Sequence, residues 1–114
     1  MAFRKGYRAE VELMENLRKE GFYVVRIPIS GGRGLPCDIL AAKGEDRRGY
    51  QVKETKANRI YLSEGEVKAL LEFCQAFGLK PFIAVKWKFR RQNPWTVIEV
   101  KGAKRLKIEY SLPS

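Results

Sequence analysis

The sequence predicts a single α/β domain in which helices flank a mixed β-sheet. Two segments carry apolar residues at helical spacing, and several other short segments are rich in the aromatic and β-branched residues that favour strands. The chain has 114 residues, of which 45% are hydrophobic. This length allows one hydrophobic core and leaves no room for a second, so we expect one domain over residues 1–114.

The first half of the chain is predicted to contain one helix and three strands. Ala9, Leu13 and Leu17 recur every four residues, which is the spacing of one helical face, and Gly21 is expected to end that helix. Pro28 cannot continue a strand ladder and therefore closes the first strand. The predicted bounds are 5–19 for the helix and 22–27, 38–42 and 50–55 for the strands, with a glycine-rich basic loop over 30–34 and a turn over 43–46.

The second half begins with a helix-start signal. Ser63 and Glu66 match a capping box, in which the hydroxyl and the carboxylate each satisfy a free backbone N–H group at the start of a helix, and this helix is expected to end before Gly78. Strands are predicted over 82–87 and 95–100, with a last short strand over 106–110. The predicted order begins α-β-β-β-α-β-β, which favours a mixed sheet with helices against it.

The charge of the chain favours a polyanionic partner. Lys and Arg number 23 against 13 Asp and Glu, the formal net charge is +10, and the pI is about 9.9. Nucleic acid is the first candidate, although an inert basic surface would have the same composition. No apolar run approaches the roughly 20 residues of a membrane-spanning helix, and the first five residues lack the character of a signal peptide. We therefore expect a cytoplasmic protein with no membrane partner.

The cysteine and histidine content argues against two common kinds of site. Cys37 and Cys74 lack the CxxC spacing of a zinc site, and the chain has no His for a catalytic triad. We expect both cysteines to be reduced and Cys74 to lie in the core.

The catalytic hypothesis starts from two neighbouring predicted strands. Asp38 begins one of them, and Gln51 lies in the next, thirteen positions later. Because side chains alternate along a strand, Gln51 and Lys53 point to the same side and Glu54 points to the other, so Glu54 cannot replace Gln51. An Asp followed by an acid-x-Lys on the next strand is how many metal-dependent nucleases hold Mg²⁺. The spacing alone is equally compatible with Asp38 as a turn residue at the end of a strand.

Short motifs spread over residues 4 to 100 resemble the archaeal-type Holliday junction resolvases. In chain order they are Arg4-Lys5-Gly6, Ala9-Glu10, Gly21-Phe22, Val24-Val25-Arg26, Asp38-Ile39, Val52-Lys53, Thr55-Lys56, Ile60-Tyr61-Leu62, Leu71-Glu72-Phe73, Phe77-Gly78 and Ile83-Ala84-Val85-Lys86. The resemblance implies the restriction-endonuclease-like PD-(D/E)xK fold, a homodimer, and Mg²⁺-dependent cleavage of four-way DNA junctions by paired nicks, with Mn²⁺ able to substitute for Mg²⁺. Such enzymes also occur in viruses, for which the host cytoplasm is the expected location.

The resemblance also assigns roles to individual residues. The helix acid of the family falls on Glu10, its sheet aspartate on Asp38, and its loop serine on Ser30. The implied catalytic residues are Glu10, Ser30, Asp38, Gln51 and Lys53, and the implied metal-site residues are Glu10, Asp38, Gln51 and Val52. The competing interpretations are a solvated helix residue at Glu10 and a purely structural serine at Ser30.

Gln51 departs from the pattern of the family, because an amide stands where an acid is expected. The amide is nearly isosteric with a carboxylate, so we expect the fold and the DNA surface to survive while the metal site loses one negative charge. Two explanations compete: a natural variant that tolerates Gln, or the deliberate inactivation of a parent that carried Glu. The second is favoured because Glu-to-Gln keeps the shape and removes the charge. The alternative functions are another branched-DNA nuclease of this fold and a junction-binding module that does not cleave.

Basic residues around the expected site are candidates for phosphate contacts. They are Arg4, Lys5, Arg8, Arg33, Lys56 and Arg59, with Lys86 and Lys88 as further candidates. No segment resembles a major-groove recognition helix, so we expect junction shape and backbone geometry to determine binding.

The second predicted helix carries two apolar stripes. Val67, Leu71 and Cys74 are expected to face the sheet. A neighbouring stripe is expected to form the dimer interface that the resemblance implies, and its members are Leu70, Phe73 and Phe77. A larger core within one copy of the chain is the alternative.

Overall fold

The fold is described from a computed structural model, which covers residues 7–28 and 34–112. Within these ranges the chain forms two helices and seven strands. In chain order they are α1 (Tyr7–Lys19), β1 (Tyr23–Arg26), β2 (Ile39–Lys43), β3 (Asp46–Thr55), β4 (Arg59–Leu62), α2 (Glu64–Phe77), β5 (Lys80–Trp87), β6 (Trp95–Glu99) and β7 (Leu106–Glu109). Neither helix of the described ranges is long and apolar enough to cross a membrane.

The main sheet has five strands in the order β1-β2-β3-β5-β6. Strands β3 and β5 are parallel, and every other neighbouring pair in this sheet is antiparallel. The crossover between the two parallel strands contains α2, as parallel neighbours require. Strands β4 and β7 form a separate two-stranded antiparallel sheet. The predicted mixed sheet with flanking helices is therefore confirmed.

Two clusters of buried side chains lie on the two faces of the main sheet. The α1-side cluster consists of Leu13, Leu17, Phe22, Val24, Ile39, Ala41, Tyr50 and Ala84. The α2-side cluster consists of Cys37, Leu62, Val67, Leu70, Cys74, Ile83, Val85, Trp87, Val100 and Ile108. Alternate residues of β5 enter alternate clusters, because successive side chains of a strand point to opposite faces. The central strands are thus covered by a helix on each side.

The ends of α2 follow the predicted signals. The Ser63 hydroxyl accepts a hydrogen bond from the backbone N–H of Glu66 at 3.1 Å, which confirms the cap. Gly78 adopts the left-handed conformation with a φ of 69°, and its N–H group donates to the carbonyls of Cys74 and Gln75. Both ends of the helix are therefore fixed by local sequence.

Gly49 allows α2 to pack close to the sheet. A Cβ atom at this position would lie 2.7 Å from the Cys74 sulfur and 3.1 Å from the Cys37 sulfur. Both cysteines are free and Cys74 is buried, as predicted, and Cys37 is buried as well. Burial raises the pKa of the Cys37 thiol to about 12 and the pKa of the Cys74 thiol to about 11, so both remain neutral in the folded protein.

Two features of the fold differ from the sequence-based expectation. Strand β3 begins at Asp46, four residues before the predicted start at position 50, and β4 (Arg59–Leu62) was not predicted at all. Strand β4 pairs with β7, so that Ile60 lies opposite Ile108. A four-residue strand whose partner is far along the chain leaves little local signal. The residue pattern of this segment therefore failed to reveal it.

The burial of Leu70 corrects the predicted dimer interface. Leu70 is 0% exposed and belongs to the α2-side cluster, so it cannot contact a second copy of the chain. The two-stranded sheet contributes Leu62 and Ile108 to the same cluster. The α2-side cluster therefore includes residues from outside the main sheet and α2. Phe73 packs against the cluster as well, although it is only partly buried.

Candidate active site

The middle of β3 carries the residues that the sequence singled out. Val52 packs against the α1-side cluster. Gly49, on the opposite face, approaches Cys74 of α2, and Lys53 of that same face lies beside Glu66 of α2. Because side chains alternate along the strand, Gln51 also lies on the face that is covered by α2. Gln51 and Lys53 therefore share one side of β3, as predicted.

Asp38 is bound to the backbone of β3 on both sides of Gln51. Its N–H group donates to the Tyr50 carbonyl at 2.7 Å, and its carboxylate Oδ2 accepts from the Val52 N–H at 2.7 Å. The residue is 7% exposed and stands immediately before β2. Asp38 does lie at the end of a strand, as the turn interpretation required, but its carboxylate is directed to β3. The structure therefore places this carboxylate next to residue 51.

The side-chain oxygen of Gln51 has an environment that fits a cation. Its Oε1 atom is buried and accepts no hydrogen bond from the described part of the chain. A buried acceptor left without a donor costs about 1–3 kcal/mol. A hard divalent cation prefers carboxylate and amide oxygens, so an ion shared with Asp38 would satisfy this oxygen. Val52 has no side-chain ligand atom and could offer only its backbone carbonyl.

The number of acidic side chains at this site is low for a nuclease metal centre. Over residues 7–28 and 34–112, no group of three or more His, Cys, Asp or Glu side chains is arranged to hold a metal ion. The presence of an amide at position 51 removes one carboxylate from the expected set. The donor atoms thus fit Mg²⁺ in chemical type, whereas the negative charge that binds it tightly is reduced.

Glu10 is buried rather than solvated. It is 3% exposed on α1, and its carboxylate Oε1 lies 3.1 Å from the Nε of Arg26 on β1. Arg26 pairs in register with Ile39, the residue after Asp38. The interpretation of Glu10 as a solvated helix residue is therefore wrong. A buried carboxylate needs a partner of this kind, and Arg26 holds Glu10 at the strand pair that also positions Asp38.

Lys53 has a partner that the sequence analysis assigned only to helix capping. Its Nζ lies 3.4 Å from Oε2 of Glu66, in the first turn of α2. Both side chains are partly exposed, at 30% for Lys53 and 44% for Glu66. The sequence does not reveal the contact between Lys53 and Glu66, because β3 and α2 meet only in the folded chain. The capping motif in the sequence was the only local signal that marked Glu66 as structurally constrained.

The basic residues proposed for DNA contact have different environments. Arg8, Lys56 and Arg59 are exposed, as a phosphate contact requires. Lys86 forms an ion pair with Glu12, which also accepts a hydrogen bond from the Trp95 indole. Burial alone would raise the pKa of Glu12, but the bonds from Lys86 and Trp95 lower it. Three of the predicted DNA contacts lie outside the described ranges, namely Arg4, Lys5 and Arg33. Ser30, which was predicted as a catalytic residue, also lies outside them.

Comparison with known proteins identifies crossover junction endodeoxyribonucleases among the relatives of this chain. The family model described as archaeal Holliday junction resolvase (Hjc) matches residues 1–112. The crossover junction endodeoxyribonuclease Hje of Saccharolobus solfataricus is 37% identical over 113 residues, which cover 95% of this chain and 82% of that protein. The crossover junction endodeoxyribonuclease Hjc of Archaeoglobus fulgidus is 37% identical over 91 residues, which cover 75% of this chain and 67% of that protein.

A viral relative and a solved structure extend the comparison. The crossover junction endodeoxyribonuclease of Sulfolobus islandicus rod-shaped virus 1 is 29% identical over 89 residues, which cover 75% of this chain and 74% of that protein. The solved structure of Archaeoglobus fulgidus Hjc, a Holliday junction resolvase, superposes with a TM-score of 0.73 and 32% identity, covering 93% of this chain and 84% of the other. By its sequence over residues 1–112, and in agreement with its fold, the chain belongs to the archaeal Holliday junction resolvase family.

Proposed function

We propose that this chain is a structure-selective, Mg²⁺-dependent endonuclease that resolves four-way DNA junctions by paired nicks. The observation that carries the proposal is the grouping of Asp38, Gln51 and Lys53 on β3 and its neighbouring strand end, in a member of the resolvase family. Asp38 and Lys53 match the acid and the lysine of a metal-dependent nuclease, whereas Gln51 stands where a second acid is expected. The net charge of +10 supports a nucleic-acid substrate.

Each residue of this group has a distinct task in the proposed reaction. Asp38 and Gln51 would hold the cation through their carboxylate and amide oxygens, and Mn²⁺ could take the place of Mg²⁺. Bound Mg²⁺ supplies Lewis acidity toward the phosphate and toward water. The Lys53 ammonium group donates hydrogen bonds to the phosphate oxygens and offsets the negative charge of the transition state. Glu66 fixes the position of that ammonium group.

Glu10 adds a buried carboxylate close to the same strand pair. Arg26 contacts one oxygen of this carboxylate, with its Nε 3.1 Å from Oε1. We infer that Glu10 contributes negative charge toward the metal site and that Arg26 holds its position. We also propose that Ser30, which precedes Asp38 in the sequence, is a catalytic residue.

The test is cleavage of a labelled four-way DNA junction in Mg²⁺ by this chain and by its Gln51→Glu variant, beside a linear duplex. Restoring the carboxylate adds an electrostatic contribution to the transition state, and we expect a gain of about 100-fold or more in the rate of paired, symmetric nicking. Gln75→Glu, on the exposed surface of α2, adds the same charge elsewhere and serves as the control. Equal cleavage by both proteins would make Gln51 a tolerated ligand. An absence of junction cleavage from every form would contradict the endonuclease proposal.

A junction-binding module that does not cleave is the second candidate function. It is favoured by Gln51 and by the low number of acids grouped around it in the described part of the chain. This candidate expects tight, junction-selective binding with no nicking by either the unchanged chain or the Gln51→Glu variant. A different branched-DNA nuclease of the same fold would instead prefer a flap over the four-way junction.

We further propose that the active form is a homodimer in the cytoplasm, or in the host cytoplasm for a viral chain. Phe77 is 65% exposed at the end of α2, and its ring lies 4.9 Å from that of Phe73. An exposed ring on a helix, packed beside a partly buried one, is a suitable contact for a second copy of the chain. A twofold axis would place two active sites against symmetry-related strands of a junction.

A further inference from the structure

The turn between β5 and β6 presents a phenylalanine to solvent. Phe89 is 82% exposed, and it belongs to neither buried cluster of the described residues. Its φ is 65°, in the left-handed region that Gly and Asn adopt readily and that a bulky side chain rarely adopts. The N–H of Arg90 donates to the Trp87 carbonyl at 3.3 Å and closes the turn around Phe89. A large apolar ring is thus displayed at a position where glycine would be easier to accommodate.

This turn is held against the strand that carries the active site. The Lys88 N–H donates to the Thr55 carbonyl at 2.9 Å, at the end of β3. On the other side, the Arg90 guanidinium donates to Asn58 and stacks over the ring of Tyr110, 4.7 Å from its centroid. Thr55 lies two residues beyond Lys53, a rise of about 7 Å along the strand. The turn that presents the Phe89 ring is therefore anchored to the end of β3, two residues beyond Lys53.

The surroundings of the ring are suited to a nucleotide. The ammonium groups of Lys56 and Lys88 lie 5.9 and 5.8 Å from the centre of the Phe89 ring. A pocket of about 330 Å³ beside it is lined by Glu54, Thr55, Lys56, Ala57 and Lys88. An exposed aromatic face provides a stacking surface for any base, and flanking lysines attract the phosphates on either side of that base.

We propose that Phe89 stacks on a base that becomes unpaired, when the chain binds, at the point of strand exchange in a DNA junction, with Lys56 and Lys88 on the adjacent phosphates. The branch point is the part of the junction where continuous base stacking is already interrupted, so a ring can enter there at lower cost than in a duplex. The proposal rests on the proposed junction-resolving function and names the feature of the substrate that this turn recognises. It would also couple recognition of the branch point to the position of the cut.

The test uses a four-way junction with 2-aminopurine at the strand-exchange point, and Ca²⁺ in place of Mg²⁺ to permit binding without cleavage. We expect 2-aminopurine fluorescence to rise when the unchanged chain binds and to stay near the free-junction value with Phe89→Gly. Loss of one stacked base predicts an increase of about 10-fold in the Kd for the junction, with the Kd for a linear duplex within about twofold of its original value. Phe89→Trp keeps a stacking ring and should retain the junction Kd.

Phe89→Gly separates function from folding. Glycine accepts the left-handed backbone without strain, so the melting temperature of this variant should equal or exceed that of the unchanged chain. Tyr23→Ala is the matched control, because Tyr23 is 79% exposed on the edge strand β1, away from the turn. It should leave both the fluorescence and the junction Kd unchanged.

Several results would overturn the proposal. The first such result is that Phe89→Gly binds the junction with the same Kd, and with the same rise in 2-aminopurine fluorescence, as the unchanged chain. Another is an equal loss of affinity for junction and duplex, which would make the ring a general DNA contact. Dissociation of a dimer by Phe89→Gly, seen by light scattering, would make it a contact between copies of the chain. If the unchanged chain itself shows no preference for the junction, the proposed function fails and this inference fails with it; if the preference is present, only the inference is at stake.

Discussion

The Nζ of Lys53 lies 3.4 Å from the Glu66 carboxylate and links β3 to the first turn of α2. Glu66 occupies a favourable place for an acid, because the positive end of the helix dipole lies there. Its backbone N–H is already bound by the Ser63 hydroxyl at 3.1 Å, so the start of the helix is rigid. The ion pair with Glu66 limits the rotamers open to Lys53. The first turn of α2 therefore contributes to the position of Lys53 in the proposed active site.

Glu66→Gln is expected to slow cleavage without unfolding the protein. Looser placement of the Lys53 ammonium group should lower the single-turnover rate about 10-fold, with little change in junction affinity. Stability should change by less than about 1 kcal/mol, because the ion pair is partly exposed and solvent weakens it. The cleavage rate is measured in the unchanged chain if that protein cleaves, and otherwise in its Gln51→Glu variant. Glu64→Gln, in the same turn of α2, is the control, and an equal effect of both changes would remove Glu66 from the active site.

Mg²⁺ should stabilise the Gln51→Glu variant more than the unchanged chain. A second carboxylate beside Asp38 adds repulsion when no ion is bound, so the variant should melt at a lower temperature in EDTA. Mg²⁺ at about 100 times its Kd would then add about 2.7 kcal/mol to the free energy of unfolding. The melting temperatures with and without Mg²⁺ are compared with those of Gln75→Glu. Equal Mg²⁺ effects on both variants would argue that residue 51 does not bind the ion.

Leu70 and Phe77, on the same helix, should respond differently to truncation. Leu70 is 0% exposed, so Leu70→Ala leaves a cavity and should cost about 2–5 kcal/mol in urea unfolding. Phe77 is 65% exposed, so Phe77→Ala should change the stability of a single copy by about 0.5 kcal/mol or less. A mild effect of Leu70→Ala would contradict its place in the α2-side cluster.

The dimer is tested with a charge at Phe77. Phe77→Glu places an unpaired carboxylate in the proposed contact, and we expect light scattering to show a monomer at micromolar concentration where the unchanged chain is a dimer. Tyr61→Glu is the control, because Tyr61 is equally exposed but lies on β4. A monomeric unchanged chain at the same concentration would defeat the proposed homodimer.

Gly49→Ala should destabilise the fold chiefly through its contact with Cys74. The added Cβ would meet the Cys74 sulfur at 2.7 Å, and the overpacking should cost about 1–3 kcal/mol. Cys74→Ala removes that sulfur, so the double variant should recover part of the loss in a double-mutant cycle. Gly102→Ala meets its nearest atom at 3.8 Å and should be nearly neutral. Additive costs for the pair would show that the sulfur is not the obstacle.

The main elements were predictable because their signals are local. Ala9, Leu13 and Leu17 mark one face of α1, and all three are buried. Ser63 and Gly78 fix the two ends of α2 within a single turn of each residue. These patterns depend on backbone geometry and on neighbouring residues, so they can be recognised before the fold is known.

The sequence by itself determined the helices, most of the strands, the basic charge and the pairing of Asp38 with Gln51 and Lys53 as a hypothesis. Tertiary structure alone decided that Leu70 is buried in the α2-side cluster and that Glu10 is buried against Arg26. It also decided that Lys53 meets Glu66. The physical reason is that each of these contacts joins segments far apart in the chain, and its strength depends on the burial and distance that only the assembled fold creates.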